Sequence, residues 1–233
     1  DLAIRGVLEA YAAKGKHVIS APTEHKAVRD LLRHLEAQGA CEITWLAVDG
    51  GGRVSAEAVE AALRPDTVLV SLMHANNEIG TLHPIAEIGA VCKAAGVLLH
   101  TDAAQSVGKI PVDVEALQVD LLSLSAHKVY GPKGVGALYV RRRHPRVQLA
   151  PQLVGGGQCR GRRAGTLAVH QIVGLGVSVA LADADLADEA SRLAVLRDRL
   201  QAGLLEAVPA LTVNGDQAHR LPHNLNVSVA GVP

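Results

Sequence analysis

The segment Thr67-Val-Leu-Val-Ser-Leu-Met73 is apolar almost from end to end. A strand without polar alternation is covered on both faces, as a central strand of a parallel sheet is. It lies in a series where strand-like and helix-like segments take turns. Helical periodicity over 2–14 is followed by a short strand at His17–Ala21. Apolar residues at 27, 28, 31, 32 and 35 then form a helical stripe. A strand over 43–48 runs into the turn Asp49-Gly-Gly-Gly52, and Ser55 caps a helix whose first turn carries an acid. A helix over 84–95 closes at Gly96, and further strands cover 97–102, 120–125 and 136–141. This alternation predicts an α/β domain around a mainly parallel central sheet flanked by helices, with room for one antiparallel strand.

After Gly155-Gly-Gly157 the character changes. Residues 167–207 are rich in alanine and leucine and read as helix. Thr212–Asn214 and Asn224–Val229 read as two strands of a further unit. The boundary falls near 185, giving a large domain over 1–185 and the beginning of a smaller α+β C-terminal domain over 186–233. The chain opens at Asp1 inside a helical pattern and stops at Val232-Pro233 just past an apolar strand. Both ends read as cut, so the expectation is a fragment of a longer protein.

Composition narrows the classes of function. With 233 residues and 48% hydrophobic content, the chain can bury a sizeable core. Its formal net charge is zero, which gives no electrostatic case for nucleic acid or a membrane surface. The densest basic run, Arg141-Arg142-Arg143-His144, reads as a solvated strand end. Three cysteines, Cys41, Cys92 and Cys159, show no paired spacing, which argues for a reducing compartment and against a disulfide framework or zinc site. A cytoplasmic location is expected on that ground. No apolar run reaches membrane-spanning length.

Polar residues gather after the strands, where open α/β sheets place their ligands. His25 follows the first strand, and Asn76-Asn77-Glu78 follow the 67–73 strand. Asp102 and Gln105 follow the 97–102 strand; Ser125, His127 and Lys128 follow the strand before them. Singly, each has a plain structural explanation. His25 and Asp102 can cap helices, Asn77 can make a turn, Ser125 and His127 can satisfy a corner, and Lys128 and Gln105 can face solvent. Jointly they suit a pyridine cofactor. Such a cofactor needs a carboxylate for a protonated ring nitrogen, an amine for an aldehyde, donors for a phosphate, and an imidazole that can cover the ring and carry protons.

Five ordered motifs carry a specific resemblance. They are Thr23-Glu-His-Lys-Ala-Val28, His74-Ala-Asn-Asn-Glu-Ile-Gly80, His100-Thr-Asp-Ala-Ala-Gln-Ser-Val-Gly-Lys109, Ser123-Leu-Ser-Ala-His-Lys-Val-Tyr-Gly-Pro-Lys-Gly134 and Arg160-Gly-Arg-Arg-Ala-Gly-Thr166. Together they resemble the NifS-like cysteine desulfurases, pyridoxal-phosphate enzymes of fold type I in the class V aminotransferase superfamily. The resemblance runs over essentially the whole chain. It implies Lys128 as the Schiff-base lysine, His25 stacked on the ring, Asp102 paired with the pyridine nitrogen and Gln105 on the phenolic oxygen. It also implies Asn77 near cofactor and substrate, and Ser125 and His127 on the phosphate. Thr166 would reach the phosphate of the other subunit of a homodimer, and Arg160 belongs to the same loop. The implied reaction takes sulfur from L-cysteine, leaving L-alanine and a persulfide on an enzyme cysteine. A sulfur-acceptor or scaffold protein would receive it for iron–sulfur cluster assembly or thio-modification.

Some family features are missing. The persulfide-carrying cysteine loop and the arginine for the substrate carboxylate belong beyond Pro233, and an Ala-Thr phosphate turn belongs before Asp1. Cys41 and Cys92 read as packing residues, and Cys159 stands where the family usually has glutamate. The stretches Glu36–Cys41 and Arg143-His144 each look about one residue longer than is usual in the family, as loop insertions would. The 233 residues alone are therefore expected to be inactive. Selenocysteine lyase, or a non-catalytic module that binds a sulfur-transfer partner, are the alternatives.

Overall fold

Thr67–Ser71 forms β3, every residue of it buried, in the interior of a six-stranded sheet. The computed structural model describes residues 1–231. The expected strands all form: β1 (His17–Ser20), β2 (Glu42–Trp45), β4 (Leu98–Asp102), β5 (Leu121–Ser125) and β6 (Gly136–Val140). The order across the sheet is β2-β1-β3-β4-β5-β6. All neighbouring pairs are parallel except β5–β6, which is antiparallel and supplies the one reversed strand that the sequence left room for. Strand order reverses between β1 and β3, so the chain leaves these neighbours in opposite directions. Such a switch point opens a crevice at the carboxyl ends of the strands.

Helices cover both faces. The side chains of α1 (Leu2–Ala10) and α2 (Lys26–Ala37) pack with Val18, Val68, Leu69 and Leu121 in one core cluster. Those of α3 (Ala56–Ala62) and α4 (Ile85–Ala95) pack with Ile19, Val70, Leu99 and Leu122 in the other. Leu69 and Val70, neighbours on β3, thus serve opposite cores, which is why β3 is buried on both faces. Burying side chains such as Leu32, Ile88 and Leu99 stabilises the fold by about 1.5–3 kcal/mol each.

The helix ends follow local chemistry. Ser55 Oγ accepts the Ala58 N–H at 3.1 Å at the start of α3. Gly96, at φ 63°, closes α4 in the left-handed region that favours glycine. The first helix is shorter than its periodicity suggests and ends at Ala10. Tyr11 to Lys14 turn instead, because Gly15 passes so close to Asp66 that a Cβ there would lie 2.2 Å from its carbonyl oxygen.

The helical stretch divides into α5 (Val169–Ala184) and α6 (Leu186–Ala207). An antiparallel pair follows, β7 (Leu211–Asn214) and β8 (Asn226–Val229). Val232 and Pro233 lie outside the described residues. Among the described residues no single helix is long and apolar enough to cross a membrane.

The basic run after β6 is not a solvated strand end throughout. Arg141 is buried, donates to the carbonyls of Val114 and Val119, and grips both oxygens of Glu115 at 2.8 Å. A guanidinium can be buried when its planar fork is satisfied in this way. Arg142 and Arg143 are exposed.

Candidate functional site

The carboxyl ends of β1, β3, β4 and β5 converge on one cavity of about 320 Å³. That lies within the roughly 300–1,000 Å³ of small-molecule sites. Its lining includes His25, Asn77, Asp102, Gln105, Ser125, His127 and Lys128. Seven of the eight nominated site residues therefore meet there. Thr166 does not; it is exposed on the loop before α5.

Each side chain is aimed by the element before it. His25 is the N-cap of α2, and its Nδ1 accepts the Ala27 N–H at 3.2 Å. The capping reading of His25 is thus correct and does not compete with a chemical one. With Nδ1 engaged as an acceptor, a neutral ring carries its proton on Nε2. Asp102 ends β4 and makes a tight turn, its Oδ1 accepting the Ala104 N–H at 2.9 Å. Its carbonyl accepts the His74 N–H, which ties β4 to the end of β3. Lys128 ends the 3-10 turn Ala126–Lys128 directly after β5. Ser125 Oγ and His127 Nδ1 lie 2.8 Å apart in the same corner.

Asn77 sits on a loop held from both sides. The neighbouring Asn76 takes the amides of Glu78 and Ile79 on its Oδ1 and donates from Nδ2 to the Thr23 carbonyl beside His25. From the other side, Asn224 and Asn226 both donate to the Glu78 carbonyl, and Leu221 N–H donates to Gly80. The small sheet thereby reaches the loop that carries Asn77.

The electrostatics centre on Asp102. Burial pushes its carboxyl above the usual range, while the Ala104 N–H and the charges of His25 and Lys128 pull it back. A buried carboxylate in this balance gains from a cation placed against it. The donor set therefore fits pyridoxal phosphate: an anion for the ring nitrogen, an amine, and a hydroxyl–imidazole–amine corner for the phosphate.

Sequence reasoning missed two groups. Glu24 is fully buried one residue before His25, with Oε1 accepting the Met73 N–H at 2.6 Å. His100 is also buried and bridges strands, with Nδ1 2.9 Å from Ser71 Oγ and Nε2 2.8 Å from Ser123 Oγ. Burial drives the His100 pKa down to about 3, so the ring is neutral and works as a structural cross-link beneath the cavity. Both partnerships join residues far apart in sequence, and no local pattern announces them.

A larger cavity lies elsewhere. At about 880 Å³, it is lined by Arg142, Arg143, Arg146, Arg160 and Arg162 among others, away from Lys128. Size does not mark the chemistry here; the converging titratable groups do. Burial raises the thiols of Cys41 and Cys92 to about 11 and 12, so neither is a ready nucleophile. Cys159 is exposed and lines, with Arg162 and Arg163, a further cavity that shares Ser123 and Leu124 with the one that holds Lys128.

Comparison with known proteins supplies the context. Residues 1–233 match the family described as Aminotransferase class-V. A relative named cysteine desulfurase IscS, from Anaeromyxobacter dehalogenans (strain 2CP-C), is 56% identical over 232 residues, covering 100% of this chain and 57% of its own length. The cysteine desulfurase IscS of Aeromonas hydrophila matches equally well, at 56% identity and the same coverage. Among solved structures, a NifS-like protein superposes with a TM-score of 0.93 at 36% identity, covering 99% of this chain and 62% of that one. A structure described as SspA in complex with cysteine superposes at 0.83 with 37% identity, covering 98% and 62%. The chain thus spans 57% of the length of these curated relatives.

Proposed function

The chain belongs to the class-V aminotransferase family and has the fold-type I architecture of NifS-like enzymes, and from that premise we propose that it is part of a cysteine desulfurase. The observation that carries the proposal is the convergence of seven nominated residues on one cavity at the strand ends. Relatives named cysteine desulfurase support it, as does a neighbour described in complex with cysteine.

The cofactor proposed is pyridoxal 5'-phosphate, which when bound supplies an electron sink for charge developing at the substrate Cα. Lys128 Nζ would hold the cofactor through its aldehyde carbon and is the amine placed to take the Cα proton. Asp102 holds the proton on the pyridine nitrogen. Gln105 donates to the phenolic oxygen, and Ser125 Oγ and His127 hold the phosphate. His25 covers the ring, its Nε2 free to carry a proton because Nδ1 is tied to Ala27. Asn77 orients the substrate. Thr166 serves the phosphate of a partner subunit in a homodimer, and Arg160 supports that loop.

Release of sulfur needs a thiolate that attacks the substrate sulfur as the Cβ–S bond breaks; the bond's electron pair stays with Cβ, which takes up a proton to give alanine, and the thiolate becomes a persulfide. Cys41 and Cys92 are buried, and the exposed Cys159 does not line the cavity that holds Lys128, so we assign that thiolate to a cysteine outside these 233 residues, as the family resemblance implies. The sulfur then passes to an acceptor or scaffold protein in the cytoplasm. We assign residues 1–185 to the cofactor-binding domain and 186–233 to the start of a smaller C-terminal domain, which β7 and β8 begin.

The test is to incubate the full-length protein with pyridoxal phosphate and either L-cysteine or L-selenocysteine. Alanine and protein-bound sulfur from cysteine are expected. Turnover of selenocysteine alone would make the protein a selenocysteine lyase, and no turnover of either would make it a non-catalytic module.

A further inference from the structure

Glu24 occupies the turn between β1 and α2, directly before His25. Its side chain is only 3% exposed. Oε1 accepts the Met73 N–H just beyond the end of β3, and Met73 itself lines the cofactor cavity. Oε2 is buried and has no hydrogen-bond partner among the described residues. Glu24 is thus the strut between the turn that aims His25 and the strand end beside Asn77.

A carboxylate with one oxygen unmatched in a buried site takes a proton rather than bear the desolvation of its charge. The titratable and charged neighbours do not offset that cost. His25, Lys26 and Arg29 lie on its own turn and on α2, His74 and Glu78 follow β3, and Asp102 ends β4. Burial is the largest influence on the carboxyl and raises its pKa to about 8. The Met73 N–H works against that rise and the Asp102 charge adds to it. His74 is itself driven down to about 4 by burial and so contributes no cation at neutral pH.

We propose that Glu24 is a positioning residue kept as a neutral carboxylic acid, which ties the His25 turn to the end of β3 and spares Asp102, the one acid among the described residues lining the cofactor cavity, a second negative charge behind it. The second half of this statement rests on the cofactor reading above; the protonation of Glu24 does not. A second ionised carboxylate behind the site would raise the proton affinity of Asp102, weakening its hold on a cationic ring nitrogen. Neutrality of Glu24 therefore protects the charge of Asp102.

Two variants of the full-length protein test this. Glu24→Gln keeps an oxygen for the Met73 N–H and has no proton to lose; Glu24→Ala leaves that N–H without its partner. The folded carboxyl holds a proton that the unfolded chain releases, so its contribution to stability falls as pH rises from about 4.5 to about 8. Urea unfolding across that window should show Glu24→Gln gaining on wild type by the slope of one bound proton. Parallel curves would overturn the neutral-acid assignment. Glu24→Gln should keep the dichroism induced in the bound cofactor, whereas Glu24→Ala should lose most of it and bind cofactor roughly tenfold more weakly. Unchanged dichroism and affinity in Glu24→Ala would overturn the positioning role. A wild type without induced dichroism would overturn the cofactor reading and the positioning role together, while the urea series still decides the protonation.

Discussion

Lys128→Ala in the full-length protein is expected to lower alanine formation from L-cysteine by about 10²–10⁴-fold or more and to remove the visible absorption of bound pyridoxal phosphate. The size of the effect follows from two duties on one atom. On the proposed function Nζ would both bond the cofactor and move the Cα proton, and no other lysine lines the cavity among the described residues. Lys109 cannot substitute. It is buried, and its Nζ is 2.8 Å from Tyr130 Oη, in a different cavity. Lys133 lies on the exposed loop beyond the corner, where its carbonyl accepts from Gln171. The change should leave stability close to wild type, because Lys128 is exposed and its removal opens no core. Activity within about tenfold of wild type would remove Lys128 from the chemistry.

Asp102→Asn should lower turnover by about 10²–10³-fold while leaving the cofactor covalently attached. Asparagine keeps the shape and can still take the Ala104 N–H on its side-chain oxygen, so the turn after β4 survives. What it lacks is charge. Asp102 is an acid that burial pushes toward neutrality and that His25, Lys128 and the Ala104 amide pull back. A cationic ring nitrogen would complete that balance and hold the carboxylate ionised at neutral pH. Without it the ring cannot stay protonated and loses its capacity to accept charge from Cα. Steady-state kinetics should place the loss in kcat rather than KM. Turnover within about threefold of wild type would mean that Asp102 is only the turn former its bond to Ala104 makes it.

Much of this architecture can be read from the chain. The unbroken apolar run at 67–73 identifies a doubly covered strand, because β3 feeds both cores. Ser55 and Gly96 mark helix ends because their roles are local. The site is legible because its residues follow strands, so knowing where strands end is nearly enough to group His25, Asn77, Asp102 and Lys128. What escapes the sequence is whatever depends on distant partners. Nothing near Glu24 in sequence announces its burial or its bond to the Met73 amide, 49 positions away. His100 has no visible role until Ser71 and Ser123 are found against its two nitrogens. Arg141 reads as one of a solvated run until Glu115 and two carbonyls enclose it. The arginines that line the cavity of about 880 Å³ come from two segments, 141–146 and 160–162, which no spacing rule joins.

The most direct measurement is reductive trapping. The full-length protein, loaded with pyridoxal phosphate and treated with borohydride, should carry the cofactor irreversibly on one peptide, and mass spectrometry should locate it on Lys128 within Ser123–Gly134. Attachment to Lys109, Lys133 or another lysine, or no attachment at all, would contradict the account.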